Sequence, residues 1–492
     1  MDTLRRDGWF YGPDRSGDTP GVPPPETSDR SVGGPGESYE IPDVTFRRRI
    51  GLSWLPVVLV LGAFAVLHRD GLDSAVLAEP ALLVVWGLML GFVGVQLILA
   101  WRQRPVVVDL AQQSILDRWR VTVSIPVYNE DPLILDRTLY SLFRQTRLPD
   151  HVFVVDDGSS EDYEHVRDRW ERDRPERVRL TWVRQANAGK KHAQAAAFGS
   201  DETADIFVTI DSDSALDRHA IDEGLKPFSD PEVVSVAGLE MAMNYKANVL
   251  TRAISVRSLA FQLFAMSAQS TAGGNVIINP GAFSLYRAEM LREVLPAYLG
   301  ETFCGQPVIL GDDTALTLYA LLRGKAVHQP TAVSLPVYPE TLSHHLRQWT
   351  RWMRASTIRT FWRLRYLRVG SYAWLYVIFT IWGFFSSVAL TALIPMAWPA
   401  SRGLLVGGAA SVFLWPWTVA VRLATIRRSD EAMGDRLKGI LLLPVAAIWY
   451  LLVLRQMRFY GIVTCGRQGW VTRGKVEVRI PAADASRESA NA

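Results

Sequence analysis

Five stretches of the chain carry no charged residue and are mostly apolar: 50–67, 80–101, 369–401, 403–421 and 439–454. Crossing the hydrocarbon core of a bilayer takes about 20 apolar residues. The first four stretches meet that length, the first only narrowly. The fifth is short and contains Pro444, so it is expected to be re-entrant or strongly tilted. From residue 120 the pattern changes: short β-branched runs alternate with helical stretches, the signature of a parallel α/β sheet. Strands are expected at Val121–Pro126, His151–Val155, Arg179–Val183, Asp205–Ile210 and Val233–Ala237, with helices at Pro132–Gln145, Asp162–Glu171, Lys191–Gly199 and Arg218–Pro227.

Charge then orients the membrane segments. The net charge of +3 says little, but its distribution says more. Arg47, Arg48 and Arg49 precede the first apolar stretch and Arg102 and Arg104 follow the second, while the loop from His68 to Glu79 holds one Arg against three acids. Lys and Arg gather on the cytoplasmic side, so the N-terminus and the domain that starts near residue 105 are expected there. No cleavable signal peptide is expected, because the first apolar run starts near residue 50. Cys304 and Cys465 stand at unrelated positions, which argues against a disulfide or a cysteine metal site. Residues 12–43 are rich in Pro, Gly, Ser and acids and cannot bury enough apolar surface to offset their ordering entropy. The expected organisation is a disordered tail over 1–45, two transmembrane helices over 46–104, an α/β domain over 105–340 and an amphipathic interfacial segment over 341–368. A C-terminal transmembrane region over 369–458 and a disordered tail over 481–492 complete it.

Candidate chemistry sits at the strand ends, where α/β sheets bind ligands. Asp156 and Asp157 follow one strand directly and are followed by Gly158 and Ser159. They fit a turn with a helix cap or recognition of a nucleotide base or ribose. Asp211-Ser212-Asp213 follows another strand. Residues i and i+2 of extended backbone project to the same side, so both carboxylates can face one Mg²⁺ or Mn²⁺ ion shared with substrate phosphates. Gly189-Lys190-Lys191 offers a glycine and two cations at a helix start, a phosphate site or simply a solvated basic turn. Asp312-Asp313 precedes an apolar run and fits a helix cap or a general base. Last, Gln348-Trp349-Thr350-Arg351-Trp352 lies in an Arg- and Trp-rich amphipathic stretch next to a membrane segment. It reads as an interfacial helix in which Arg351 can grip a diphosphate with its planar fork of donors and Trp352 can stack on a sugar ring.

In this order, Asp-Asp-Gly-Ser, Asp-Ser-Asp, Gly-Asp-Asp and Gln-Trp-Thr-Arg-Trp resemble the processive family 2 glycosyltransferases, the hyaluronan, chitin-oligosaccharide and cellulose synthases, over roughly residues 105–475. The resemblance implies an α/β GT-A domain with a mainly parallel sheet, inserted between N- and C-terminal transmembrane helices with amphipathic interfacial helices. It implies inverting transfer from a UDP-sugar to a growing polysaccharide, in the plasma membrane of a bacterium with the catalytic domain cytoplasmic. By the same resemblance Asp157 contacts the uridine, with Asp156, Lys190, Lys191, Asp211 and Arg351 around the donor. Asp213 and Asp211 hold the metal, and Asp313 is the base beside Asp312. Gln348, Arg351, Trp352 and Gly281 border the acceptor. Gly469–Lys475, within 459–480, resembles the segment that gates the nucleotide, with Trp470 and Arg473 as donor contacts. The run from Asn187 to Gln194 is closer to hyaluronan and chitin-oligosaccharide synthases than to cellulose synthases, which favours a GlcNAc-containing product. Nothing points to a nucleic-acid partner.

Two spans before the domain and three after it put the C-terminus outside, whereas the gating segment must act in the cytosol. The count is therefore expected to break at the fifth stretch or within 369–401. A non-processive lipid glycosyltransferase like glucosylceramide synthase shares the acidic clusters and the pentapeptide. A catalytically dead relative serving as a receptor or channel is the third reading, against which the intact acids argue.

Overall fold

A computed structural model describes residues 9–10, 39–47, 80–396, 416–417, 420–467 and 478. The expected first and fourth apolar stretches (almost all of the fourth) and the gating segment with Trp470 and Arg473 lie outside the described residues. After a two-residue strand at Trp9–Phe10, the labelled elements begin with β1 (Val44–Arg47) and α1 (Pro80–Arg102). The domain then alternates β2 (Val121–Val127), α2 (Pro132–Leu142), β3 (His151–Asp156), α3 (Glu164–Asp173), β4 (Arg179–Arg184), α4 (Lys190–Ser200) and β5 (Ile206–Thr209). It continues through β6 (Ser214–Leu216), α5 (Ala220–Leu225), β7 (Val233–Glu240), α6 (Val249–Phe261), β8 (Ser284–Arg287), α7 (Ala288–Leu299), α8 (Asp312–Leu321) and β9 (Lys325–Pro336). The interfacial helix α9 (Leu342–Tyr366), α10 (Tyr372–Met396), β10 (Ile426–Arg428), α11 (Met433–Trp449) and α12 (Met457–Val463) follow.

The strands read from apolar runs are present, within one to three residues at their ends. Every residue of β2 and β3 is buried, as a strand covered by helices on both faces requires. Asp131 caps α2 by accepting from the Leu133 amide at 2.9 Å, and Pro132 occupies the first helical position.

The sheet is mixed rather than mainly parallel, in the order β4-β3-β2-β5-β8-β7-β9-β6. β4, β3, β2 and β5 run parallel, and β7 runs parallel to β9. By contrast, β8 is antiparallel to both its neighbours, and β6 is antiparallel to β9. A connection of four residues joins β5 to β6, although four strand spacings separate them in this order. A flat sheet would put them about 19 Å apart, and five peptide steps reach at most about 18 Å. The sheet must curl, and Asp211 to Asp213 bridge the mouth of the curl. This is a GT-A-like arrangement.

The tail expected through residue 45 ends earlier, because β1 pairs antiparallel with β10 and buries Val44 and Phe46 beneath the domain. Two helices among the described residues are long and apolar enough to cross a membrane: Val249–Thr271, much of which packs inside the catalytic domain, and Met433–Val463. The second contains the fifth apolar stretch. That stretch runs on as helix past Pro444 and through a π-turn at Tyr450–Leu454, reaching 31 residues rather than stopping short. Helix α10 is continuous over Tyr372–Met396.

Candidate active site

The carboxyl ends of the parallel strands converge on one cavity of about 660 Å³. Asp157, Lys190, Asp211, Asp213, Gly281, Asp312, Asp313, Gln348, Arg351 and Trp352 all line it. Residues separated by almost 200 positions thus share one chamber.

Two predicted donor residues lie elsewhere. Asp156 accepts from the Ser159 amide at 2.9 Å and faces Arg184, which closes the turn after β3. Lys191 points away into a buried ion cluster. Asp157 lines the cavity, but its own oxygens are engaged: they accept from Gln185 Nε2 at 2.7 Å and from the amides of Ala188 and Gly189 at 2.9 and 2.8 Å. Asp157 therefore shapes the loop that delivers Lys190.

Lys190 Nζ lies 2.6 Å from Asp211 Oδ1 and 3.0 Å from Asp312 Oδ2. Burial disfavours its charge, but Asp211 and Asp312 outweigh that and hold it firmly protonated. For Asp312, burial works against ionisation and Lys190 overrides it, so its carboxyl stays below the usual range. Gln194 Nε2 also donates to Asp312 at 3.1 Å. Asp313 fares differently. Burial first, then repulsion from Asp312, pushes it up to about 6. The two adjacent acids thus divide: Asp312 is a fixed anion bound to Lys190, and Asp313 is poised near neutrality, as a general base requires. Neither is the helix cap that their position also allowed, since Gly311 occupies that place.

Ser212, between the two metal-candidate acids, turns inward and donates to Glu130 Oε2 at 3.0 Å, while its carbonyl accepts from Thr138 Oγ1 at 2.9 Å. This anchor leaves Asp211 and Asp213 to face the cavity together. Gly281 sits at that same pole. A Cβ there would lie 3.1 Å from Asp211 Oδ2 and 3.2 Å from Lys190 Nζ, so the glycine makes room for the ion pair.

The pentapeptide helix docks directly on the Asp312-Asp313 turn. Gly311 has φ +77°, and a Cβ on it would come within 2.9 Å of Ala355 Cβ on α9. Below this contact, Glu301 is buried between Arg359, whose Nη1 and Nη2 donate to it at 2.8 and 2.7 Å, and Lys191. Arg359 also donates to the Gly311 carbonyl at 3.3 Å, and Lys191 to the Val308 carbonyl at 2.8 Å. One carboxylate thus joins the start of α4, the turn before α8 and helix α9. Within the pentapeptide, Trp349 is the structural member, buried with its Nε1 donating to the Leu454 carbonyl at 2.7 Å. Trp352 packs edge-on against it at 5.7 Å and keeps 47% of its surface exposed, toward the cavity.

Sequence reasoning missed Glu301 and Arg359, which are 58 residues apart and belong to no motif. It also missed Glu240, the last residue of β7, which lines the cavity. Burial, then Asp211, Asp313 and Asp213, pushes Glu240 up to about 8. Its position at the end of an apolar strand run, as for Asp156, was the available signal.

Residues 118–355 match the family described as "Glycosyltransferase like family 2". The chain is 32% identical over 367 residues to the hyaluronan synthase of Streptococcus pyogenes, which covers 73% of this chain and 84% of that one. It is 34% identical over 250 residues to an N-acetylglucosaminyltransferase of Rhizobium meliloti (strain 1021), covering 50% of this chain and 58% of that one. Among solved structures, a mannosyltransferase from Pyrobaculum calidifontis in complex with GDP-Man and Mn²⁺ is similar at 21% identity and TM-score 0.48, covering 75% and 98% of the two chains. The chain belongs to the processive family 2 glycosyltransferases and is a UDP-sugar-dependent hexosyltransferase.

Proposed function

We propose that this chain is a membrane-embedded polysaccharide synthase that polymerises UDP-activated sugars, GlcNAc among them, by inverting transfer, and passes the product across the bilayer. One observation carries the reading. The cavity that holds Asp313 continues past Trp352 to Tyr376, Phe379 and Phe384 on the apolar helix α10 and to Tyr450. A donor site and a route into the apolar region are one space.

Asp211 and Asp213 suit a divalent ion. They are hard oxygen donors two residues apart, and no group of three or more such ligands occurs among the described residues, so the ion would complete its shell with substrate phosphate and water. When bound, Mg²⁺ or Mn²⁺ neutralises charge on the departing UDP as a Lewis acid. Lys190 and Arg351 add fixed positive charge beside the diphosphate. Trp352 stacks the terminal sugar of the acceptor, and Asp313 removes the proton of its hydroxyl. The hydroxyl oxygen then attacks the anomeric carbon of the donor from the face opposite UDP, the bond to the phosphate oxygen breaks, and the configuration inverts. The clamp at Glu301 keeps base, diphosphate grip and acceptor platform in register.

The arginines around the first two apolar stretches support a cytoplasmic catalytic domain, and the S. pyogenes and Rhizobium relatives support a bacterial plasma membrane and a GlcNAc-containing product. Purified protein incubated with a panel of UDP-sugars and Mg²⁺ or Mn²⁺ tests the reading. UDP release accompanied by a polymer of high mass supports it. A product that carries one sugar and extracts into organic solvent makes the chain a lipid glycosyltransferase instead.

A further inference from the structure

Glu240 ends β7 and lines the cavity, and its backbone is held by a side chain from another element. The Glu240 amide donates to Gln262 Oε1 at 2.8 Å, and Gln262 Nε2 donates to the Glu240 carbonyl at 3.1 Å. β8 pairs with β7 only as far as Ala237, so one side-chain amide stands in for the missing strand neighbour. It comes from a π-turn, Gln262–Met266, that follows α6 directly; such turns recur at functional sites. Gln262 is 2% exposed and also reaches Ser258 Oγ at 3.3 Å, to which the Tyr338 hydroxyl donates at 3.2 Å.

The Glu240 carboxyl accepts from the Ala282 amide and lies close enough to Asp211, Asp213 and Asp313 to feel their charge. It forms no ion pair with a Lys, Arg or His among the described residues. An acid shielded from water beside three others weakens the fold, unless a ligand takes its hydrogen bonds. A metal is not that ligand, because no group of three or more metal-binding side chains occurs among the described residues. The donor diphosphate is an anion and belongs with Lys190 and Arg351. A sugar hydroxyl fits, since a carboxyl can accept its hydrogen bond in either protonation state.

The neighbours of Glu240 decide which sugar. The next cavity-lining residues on its side are Arg257, Ser258, Phe261 and Gln262, and the Arg257 guanidinium sits between the rings of Trp349 and Tyr450, at 5.2 and 5.3 Å. Glu240 therefore stands between the acidic pole and the part of the cavity that leads away from it. On the polysaccharide-synthase reading above, that part holds the acceptor.

We infer that Glu240 positions the acceptor: its carboxyl binds a hydroxyl of the terminal sugar next to the one that attacks, and so turns the attacking oxygen toward Asp313 and the anomeric carbon of the donor. Stacking on Trp352 fixes the plane of the ring but lets it turn within that plane. A directional hydrogen bond at the rim removes that freedom.

The experiment uses the full chain in lipid discs with Mn²⁺ and UDP-N-acetylglucosamine, with and without chitobiose as added acceptor. Sugar transferred to chitobiose and UDP released to water are counted separately. In Glu240→Ala the KM for chitobiose is expected to rise and transfer to fall, together by roughly 10–100-fold in kcat/KM. The KM for the donor stays within about twofold, and a larger share of UDP is released by hydrolysis. Glu240→Gln, which keeps the shape and the hydrogen bond, recovers part of the transfer. The thermal midpoints of both variants match or exceed that of the wild type, because one of four neighbouring acids has lost its charge. A lowered midpoint in both variants with an unchanged ratio of transfer to hydrolysis makes Glu240 structural and overturns the inference. A raised donor KM or metal requirement with an unchanged chitobiose KM assigns it to the donor pole and equally overturns it. Wild-type protein that elongates chitobiose by one sugar and never makes polymer defeats the synthase reading and leaves the role of Glu240 to the variants. Wild-type protein that releases no UDP from UDP-N-acetylglucosamine defeats the GlcNAc reading and this inference with it.

Discussion

Adding a single methyl at Gly281 gives a sharp test of the site geometry. The new Cβ would lie 3.1 Å from Asp211 Oδ2 and 3.2 Å from Lys190 Nζ, distances that force one or both to give by a few tenths of an ångström. Because both side chains can swing, the fold survives and the thermal midpoint stays near that of the wild type. The displaced pair, however, includes a candidate metal ligand and the cation shared with Asp312. A misplacement of 1 Å at a reacting centre costs on the order of 100-fold, so a shift of a third to a half of that lowers kcat by roughly 5–10-fold. Initial rates of UDP release, measured across metal and donor concentrations, would show Gly281→Ala with reduced kcat and a raised metal requirement. Wild-type kcat and metal dependence, or an effect confined to acceptor KM, would refute the assignment of Gly281 to the Lys190–Asp211 pole and return it to the acceptor.

Asp313→Asn should lower kcat by about 10²–10⁴-fold while donor binding, followed by calorimetry with UDP, is retained. Since Asp313 acts as a base only when ionised and its carboxyl titrates near 6, kcat/KM of the wild type should rise as pH increases through about 6 and fall on the acid side; a flat profile from pH 5 to 8 contradicts the role. Glu301→Gln leaves Lys191 and Arg359 buried without their anion, a loss of about 3–5 kcal/mol that should appear as a clearly lowered thermal midpoint of the purified protein. Gly311→Ala combines a left-handed backbone with a Cβ 2.9 Å from Ala355, and should cost about 2 kcal/mol or more while loosening α9 from the Asp312-Asp313 turn, seen as faster proteolysis of the α8–α9 region.

Much of the domain's first half was legible because its signals are local. β2, β3 and β5 are mostly apolar runs, and the acids at the ends of β3 and β5 mark the ligand edge directly. The second half was less so. β8 has four residues, Ser284 to Arg287, and its place between β5 and β7 is set by pairing across more than 40 positions, which no local period records. The mixed sheet follows from that insertion. Asp157 and Lys191 belong to recognisable motifs, yet one holds a loop and the other a buried ion cluster. The motif identifies the segment but not the direction in which each side chain points. Glu301 is a single acid whose partners, Lys191 and Arg359, come from distant elements, so nothing near it in sequence sets it apart, whereas Glu240 carried only the weak signal of closing an apolar strand run. Arg257, Arg363, Arg455 and Arg458 come from segments up to about 200 positions apart, and only the fold shows them lining one cavity.

The central claim is that a single space joins the transfer chemistry to a path across the bilayer. Proteoliposomes with the catalytic domain outward, supplied with external UDP-sugars and a divalent metal, test it directly. The account predicts a polymer of high mass that accumulates inside the vesicles and resists external glycosidase until detergent is added. Product that stays outside and fully digestible, or a one-sugar lipid in the membrane, would contradict it.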